Sequence, residues 1–227
     1  MHKLSKLNGH SNDWMNETDD DHLSNSIETP LHADAFALTD EEKMEKIRFH
    51  FAEIMDTLGL DLTDDSLQDT PKRVAKMYVK EIFHGLDPMN KPAITLFDNN
   101  YQYNQMLLER DISFSSTCEH HFVPIIGKAH VAYVSSGKVI GLSKLNRIVQ
   151  YYARRPQVQE RMTNQIGEDL KKILQTEHVA VILDAEHMCV HTRGVQDKNC
   201  STVTSFYSGK FINDNTRMEL HRLLELK

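Results

Sequence analysis

The sequence has little of what secreted and membrane proteins depend on. Three cysteines in 227 residues are too few for a disulfide framework. No apolar run approaches the roughly 20 residues that span a bilayer, and the N-terminal MHKLSKLNGHSNDW lacks the apolar core of a secretory signal. We therefore expect a cytoplasmic protein with no membrane partner, in which clustered cysteine and histidine indicate a metal or catalysis.

An excess of basic residues is also missing. The formal net charge is −7 with the 13 histidines taken as neutral, so electrostatics gives no reason to expect a nucleic-acid partner. A small anionic substrate stays compatible with this charge, because a local basic pocket can form on an acidic protein. The length and the 40% hydrophobic content suit one globular domain, with or without an added N-terminal part.

Composition and periodicity divide the chain into three parts. Residues 1–37 are polar with little periodicity, which predicts a flexible or loosely docked extension. Residues 38–92 have helical spacing of apolar side chains and predict an N-terminal helical region. Residues 93–227 mix strand and helix patterns and predict the main, catalytic domain.

The N-terminal region has clear helix signals. Thr39 and Glu42 have the spacing of a capping box, and Gly59 is expected to end the helix that follows. Thr70, followed by proline, is expected to be the N-cap of a second helix running to about Phe83.

The main domain shows strands on both sides of two helices. Alternating apolar and polar residues predict strands, and apolar stripes predict helices. This order favours an α+β architecture. The predicted strands are 108–114, 128–134, 178–191 and 201–208, and the predicted helices are 144–153, 158–175 and 215–225, with a break at Pro156.

The densest chemistry lies in Ser116–His121. Cys118 and His121 have the spacing of two zinc ligands on one tight loop, and Cys189, on a predicted strand, could supply a third. Three protein ligands leave a fourth position open, which is typical of catalytic zinc. Cys118 and Cys189 could instead be ordinary buried thiols. Cys200 has no partner in the sequence.

Histidines flank these candidate ligands. His187 precedes Cys189 by two residues, so a regular strand would place both on one face, together with His191 and Arg193. His120 is next to His121. Beside a hydrolytic metal, His120 and His187 are candidate proton carriers; alone, they would more often be solvated or supporting side chains, and His191 stays open.

Two further segments could bind an anionic nucleotide. Ser143, Lys144 and Arg147 open a predicted helix, where free N–H groups favour phosphate. Gln159 and Glu160 begin the next helix and could bind the donor edge of a guanine. A solvated basic face and the preference of helix starts for acidic residues explain the same patterns.

Several long motifs resemble the GTP cyclohydrolase I family, in its bacterial form. They are STCEHHFVP, VIGLSKLNRIVQYYARRPQVQERMT, the HxCV segment around Cys189 and TPKRVAKMY near Arg73. The resemblance runs from about Thr39 to the C-terminus and leaves the N-terminal extension outside. The segment from Asp197 to Tyr207 departs from the family's threonine-rich pattern.

The resemblance implies a fold, an assembly and a reaction. The fold is the tunnelling fold, with a four-stranded antiparallel sheet and helices on one side, and the assembly is a homodecamer of two pentamers. The reaction converts GTP and water to formate and 7,8-dihydroneopterin triphosphate, the first step of tetrahydrofolate biosynthesis.

The resemblance also implies roles for individual residues. It makes Zn²⁺ the cofactor, held by Cys118, His121 and Cys189, and His120 and His187 the proton-transfer residues. Glu160, helped by Gln159, would hold the guanine. The residues implied for the ribose triphosphate are Ser143, Lys144, Arg147 and Arg193, with Arg73 from a neighbouring subunit.

Two other functions are alternatives to this one. A zinc nucleobase deaminase would carry H-x-E and P-C-x-x-C elements, and the sequence has neither. A non-catalytic nucleotide-binding protein on the same fold is possible because fold does not fix function, but such a protein would be expected to have lost some ligands or histidines.

Overall fold

A computed structural model describes residues 27–226, and the α+β class predicted for the chain is confirmed there. Most of the predicted extension at 1–37 lies outside the described residues. The helices are α1 (Asp40–Thr57), α2 (Thr70–Met77), α3 (Leu142–Ala153), α4 (Gln159–Leu174), α5 (Met188–His191) and α6 (Asp214–Glu225). The strands are β1 (Leu96–Asp98), β2 (Met106–Cys118), β3 (Pro124–Val134), β4 (Lys138–Ile140), β5 (Pro156–Gln157), β6 (Val179–His187) and β7 (Thr202–Tyr207).

The N-terminal helices follow most of their sequence signals. The capping box at α1 is confirmed: the Thr39 hydroxyl accepts from the Glu42 N–H, and the Glu42 carboxylate accepts from the Thr39 N–H. The expected N-cap at Thr70 is wrong, because Asp69 occupies that position and Thr70 is already helical. The regular helix ends at Met77 and continues as a wider π-helical turn to Ile82.

The main sheet has five strands in the order β5-β2-β3-β6-β7. Its four long strands are antiparallel. The two residues of β5 pair in parallel with the end of β2, Thr117 opposite Pro156 and Cys118 opposite Gln157. The expected break at Pro156 thus forms a short fifth strand beside the four predicted ones. Strands β1 and β4 form a separate two-stranded sheet.

Helices cover both faces of this sheet, which differs from the expected one-sided arrangement. α3 and α4 cover one face, where Val131, Val181 and Leu183 pack in the larger apolar cluster. Residues of opposite parity, such as Ala132 and Ile182, face a smaller cluster. Buried Phe211 and Leu220 complete that cluster. The C-terminal α6 therefore adds a small layer opposite the main one.

The predicted strand at 178–191 is shorter than expected. β6 ends at His187, and the next four residues form the single turn of α5. The expectation of one strand face running from His187 through Cys189 to Arg193 is therefore wrong. The change of backbone direction at His187 places Cys189 on a helical turn just after the end of β6. None of the helices within residues 27–226 combines the length and apolar content that crossing a membrane requires.

Candidate active site and metal centre

A tight loop after β2 carries the first two candidate ligands. The Cys118 N–H donates to the Val123 carbonyl over 2.8 Å, and the Phe122 N–H donates to the Cys118 carbonyl over 2.9 Å. Phe122 closes the loop with φ of +54°, in the left-handed region. Between these bonds, the Cys118 and His121 side chains project from one short connection between β2 and β3.

The register of β3 with β6 brings the third candidate ligand to this loop. Ile125, at the start of β3, lies opposite His187, the last residue of β6. The turn of α5 that follows His187 then places Cys189 beside the loop. One candidate ligand atom from each of Cys118, His121 and Cys189 lies within 4.8 Å of the other two. The structure thus brings Cys189 to two residues, Cys118 and His121, that precede it in the sequence by about seventy positions.

The donor set fits a metal cation. Among the described residues, the buried Nδ1 of His121 has no hydrogen-bond partner. Burial first, and then the neighbouring Cys118, raise the pKa of the Cys189 thiol to about 11. A bound cation reverses this effect, because a coordinating thiol loses its proton. An unpartnered imidazole nitrogen and two clustered thiols are ligands that zinc prefers.

Arg193 contacts the other nitrogen of the same imidazole. Its Nη1 lies 2.5 Å from Nε2 of His121. The structure therefore brings Arg193 to the metal group, although not by the strand alternation that the sequence suggested. The guanidinium adds fixed positive charge at the rim of the site, where an anionic substrate group could bind.

His120 lies on the same loop and faces the candidate metal group. Its Nδ1 is 3.9 Å from Sγ of Cys118, and its Nε2 is 3.9 Å from Oε1 of Glu119. The side chain is 31% exposed. A partly exposed imidazole in contact with the sulfur of a candidate metal ligand can exchange protons with both solvent and a bound molecule.

His187 is the last residue of β6 and its side chain is held by Gln159. Its Nε2 is 2.7 Å from Oε1 of Gln159. Burial lowers the pKa of His187, while the nearby Glu160 carboxylate raises it less. Burial thus favours the neutral form of the imidazole, which is the form that can accept a proton.

Gln159 and Glu160 differ in their surroundings at the start of α4. Glu160 is exposed, whereas Gln159 is 1% exposed and its side-chain amide bonds protein groups. The contact of either residue with a guanine stays a prediction.

The remaining predicted anion-binding residues are on α2 and α3. Ser143, Lys144 and Arg147 are on the first two turns of α3, whose N-cap Gly141 offers no side-chain cap. Within residues 27–226, no hydrogen bond or ion pair joins these three to the metal group. Arg73, on α2, is exposed and lies 3.8 Å from Asp69.

One ion pair at the site has no signature in the sequence. Arg161, on α4, donates to Glu119 from Nη1 to Oε2 over 2.5 Å and from Nη2 to Oε1 over 3.2 Å. Its side chain is 3% exposed and that of Glu119 is 20% exposed. Glu119 lies inside the Cys118–His121 motif, but only the packing of α4 against the sheet identifies its partner.

His191 and Cys200, whose roles the sequence left open, contact each other. Nε2 of His191 lies 2.9 Å from the Cys200 carbonyl, and the His191 side chain is 8% exposed. Since a carbonyl only accepts, His191 donates to it and anchors the loop before β7. The Cys200 thiol is not part of the metal group, which contains the other two cysteines.

The chain matches the sequence model of one protein family, GTP cyclohydrolase I, over residues 47–225. Three relatives are each named GTP cyclohydrolase 1. The protein of Flavobacterium johnsoniae is 56% identical over 214 residues, covering 94% of this chain and 96% of that one. The protein of Aeromonas salmonicida is 55% identical, covering 85% and 88%, and that of Vibrio parahaemolyticus is 53% identical, covering 87% and 91%. With this coverage and the site geometry described above, the chain belongs to the GTP cyclohydrolase I family.

Proposed function

We propose that this chain converts GTP and water to 7,8-dihydroneopterin triphosphate and formate, the reaction of EC 3.5.4.16 and the first step of tetrahydrofolate biosynthesis. The observation that carries the proposal is the convergence of Cys118, His121 and Cys189 within 4.8 Å. This chain belongs to the family. In it, Cys118 of that group contacts His120, and Cys189 follows His187, the last residue of β6, by two positions.

Cys118, His121 and Cys189 would hold a zinc ion. Bound there with one open position, zinc would act as a Lewis acid and lower the pKa of a water molecule toward 7. Clustered cysteine and histidine from two separate segments give a mixed sulfur and nitrogen site, which suits zinc better than magnesium or calcium.

The two histidines would move the protons. His120 would protonate N7 of the guanine, which makes C8 electrophilic toward water. Hydrolysis at C8 opens the imidazole ring and releases formate, and the exposed amine permits an Amadori rearrangement of the ribose. His187 would accept and return protons in that second stage, and the burial that lowers its pKa favours the imidazole form that accepts them.

The ends of two helices would position the substrate. The exposed Glu160 carboxylate at the start of α4 suits the N–H donors on the edge of a guanine. Ser143, Lys144 and Arg147, at the start of α3, and Arg193, at the metal group, would bind the triphosphate. This cationic clamp holds the substrate without activating a leaving group, because the phosphate bonds stay intact.

We extend the proposal to the fold family and the assembly. The antiparallel β2-β3-β6-β7 sheet with α3 and α4 on one face supports the tunnelling fold, and exposed apolar residues on α1, such as Phe49 and Ile54, support burial between subunits. A homodecamer of two pentamers would bring Arg73 of one subunit to the site of another. Sedimentation of the purified protein tests the assembly, since a monomeric active enzyme would exclude it.

The reaction itself is tested by incubating purified protein with GTP. Formate release together with pterin fluorescence, both lost after chelation and restored by zinc, is the expected result. Ammonia release without formate would instead indicate a deaminase. GTP binding without either product would indicate a non-catalytic nucleotide-binding protein, and full activity in protein without zinc would overturn the metal assignment.

A further inference from the structure

Gln159 has an unusually complete set of hydrogen bonds for a residue at the edge of a site. Its Nε2 lies 3.1 Å from the Leu183 carbonyl and 2.8 Å from the Thr202 carbonyl. The hydroxyl of Thr204 is a third neighbour, at 3.1 Å. The side chain is 1% exposed, so these protein groups, and not water, satisfy it.

These contacts fix which end of the amide faces His187. Backbone carbonyl oxygens only accept hydrogen bonds, so the atom between Leu183 and Thr202 must be the amide nitrogen. The reversed amide would place three oxygens in mutual contact. The atom 2.7 Å from Nε2 of His187 is therefore Oε1 of Gln159, which accepts and cannot donate.

A small hydroxyl network supports the same orientation. The Thr163 hydroxyl donates to the backbone carbonyl of Gln159 over 2.8 Å and lies 2.7 Å from the Thr204 hydroxyl. The Thr204 proton is thus directed to Thr163, which leaves the Thr204 oxygen free to accept from Gln159. The amide nitrogen is thus held by Leu183 of β6 and by Thr202 and Thr204 of β7, and Thr163 of α4 orients the Thr204 hydroxyl.

We infer that Gln159 is a positioning residue that holds a proton on Nε2 of His187, which leaves Nδ1 as the nitrogen that can accept a proton from the substrate. Turning the imidazole over would place the carbon Cε1 where Nε2 now lies and would break the bond to the Gln159 oxygen. This inference rests on the proposed function and gives Gln159 a role different from contact with the guanine.

Replacement of Gln159 by leucine tests the inference in the zinc-loaded enzyme. Partners that orient a functional histidine typically contribute about 10- to 100-fold to activity, so Gln159→Leu should lower kcat by about that factor. The matched control is Gln165→Leu, which removes another buried amide from the same helix, one that bonds Gln157 and the Ile27 carbonyl. The control should leave kcat near that of the unmodified enzyme.

A binding measurement separates positioning from guanine recognition. The probe is 7-deaza-GTP, which keeps the guanine donor edge but has no N7 to protonate. Gln159→Leu should bind it as the unmodified enzyme does, whereas Glu160→Gln should bind it more weakly. Weakened binding in Gln159→Leu with kcat retained would overturn the inference and restore the guanine contact.

Nitrogen NMR of the unmodified zinc enzyme supplies a readout that needs no folded variant at Gln159. In protein labelled with ¹⁵N-histidine, the His187 signals, assigned by their loss in His187→Gln, should report a protonated Nε2 and a bare Nδ1. The opposite tautomer would overturn the inference. Failure of the unmodified enzyme to release formate from GTP would instead reject the proposed function and leave the tautomer result standing.

Discussion

Arg161 donates hydrogen bonds from both terminal nitrogens of its guanidinium to the Glu119 carboxylate, at 2.5 Å and 3.2 Å. This pair joins α4 to the loop between β2 and β3. Glu119 lies between Cys118 and His120, while Arg161 follows Gln159 and Glu160 by one turn or less. The ion pair therefore fixes the distance between the candidate metal ligands and the start of α4.

Replacement of Glu119 by glutamine should loosen that loop. Removal of one partner of a buried ion pair costs about 3–5 kcal/mol, and we expect the lower end because the Glu119 side chain is 20% exposed. Urea unfolding with zinc in excess measures the loss. Arg48→Gln, which breaks an exposed pair with Glu45 on α1, is the control and should change little. Equal stability of the two variants would contradict a structural role for the pair.

Replacing each of the three cysteines by serine should affect the zinc content of the protein differently. Cys118→Ser and Cys189→Ser should lose bound zinc and reduce formate release by more than about 100-fold, since even residues that only support a metal ligand typically contribute about 10- to 100-fold. Cys200→Ser should keep both, because its thiol lies outside the metal group. Elemental analysis of the purified variants gives the zinc content. A zinc-free but active Cys189→Ser would remove that residue from the site.

Stability should fall as the pH drops below about 6.5. Burial lowers the pKa of His130, and its Nδ1 accepts from the Asp111 N–H over 3.2 Å. Attraction to Asp111 and Asp184 raises this pKa, while Lys128 and Arg110 lower it. Because the folded-state pKa is below the unfolded one, the unfolded chain binds more protons in the interval between them, and stability rises with pH there.

The His130→Asn variant tests this linkage. Its Oδ1 can accept the same N–H without titrating, so the slope of unfolding free energy against pH between about 5.5 and 7.5 should become shallower. Denaturant midpoints at a series of pH values supply the slope. An unchanged slope would assign the effect to other groups, such as His178, whose pKa burial also lowers.

Gly127→Ala should disturb the central pair of strands. A methyl group at Gly127 would lie 2.3 Å from the Asp184 carbonyl and 2.5 Å from Cβ of Ala185. Such overpacking costs roughly 1–3 kcal/mol, and the pairing of β3 with β6 brings the loop that carries Cys118 and His121 close to Cys189. Gly141→Ala is the control, since its nearest neighbour would be 4.0 Å away. Thermal melting of both variants compares them, and equal midpoints would contradict the clash.

The sequence predicts those parts of the molecule that depend on neighbouring residues. The capping box of Thr39 and Glu42 is local and formed as expected. The spacing of Cys118 and His121 is local as well, and the structure places the candidate ligand atoms of both residues in one group. Periodicity within each segment locates the four long strands and the helices α3, α4 and α6 of the main domain, but not the short elements β1, β4 and α5.

Features that depend on packing between distant segments cannot be predicted from the sequence in the same way. The strand through Cys189 was extended too far, because apolar alternation continues past His187 while the backbone turns into α5. The partners of Glu119 and Gln159 lie on other elements, so no spacing in the sequence identifies them. The second helical layer was missed because α6 contacts the sheet through a few residues, such as Leu220.

The register that sets Ile125 opposite His187 has a consequence for how the protein matures. Cys118 and Cys189 lie on either side of β3, so neither cysteine can meet the other until β6 has paired with that strand. Contacts between residues so distant in sequence form slowly, and metal affinity depends on a site that the unfolded chain does not contain. Zinc should therefore be taken up late, after the sheet has closed, and a chain stalled before that step would leave two reactive thiols exposed.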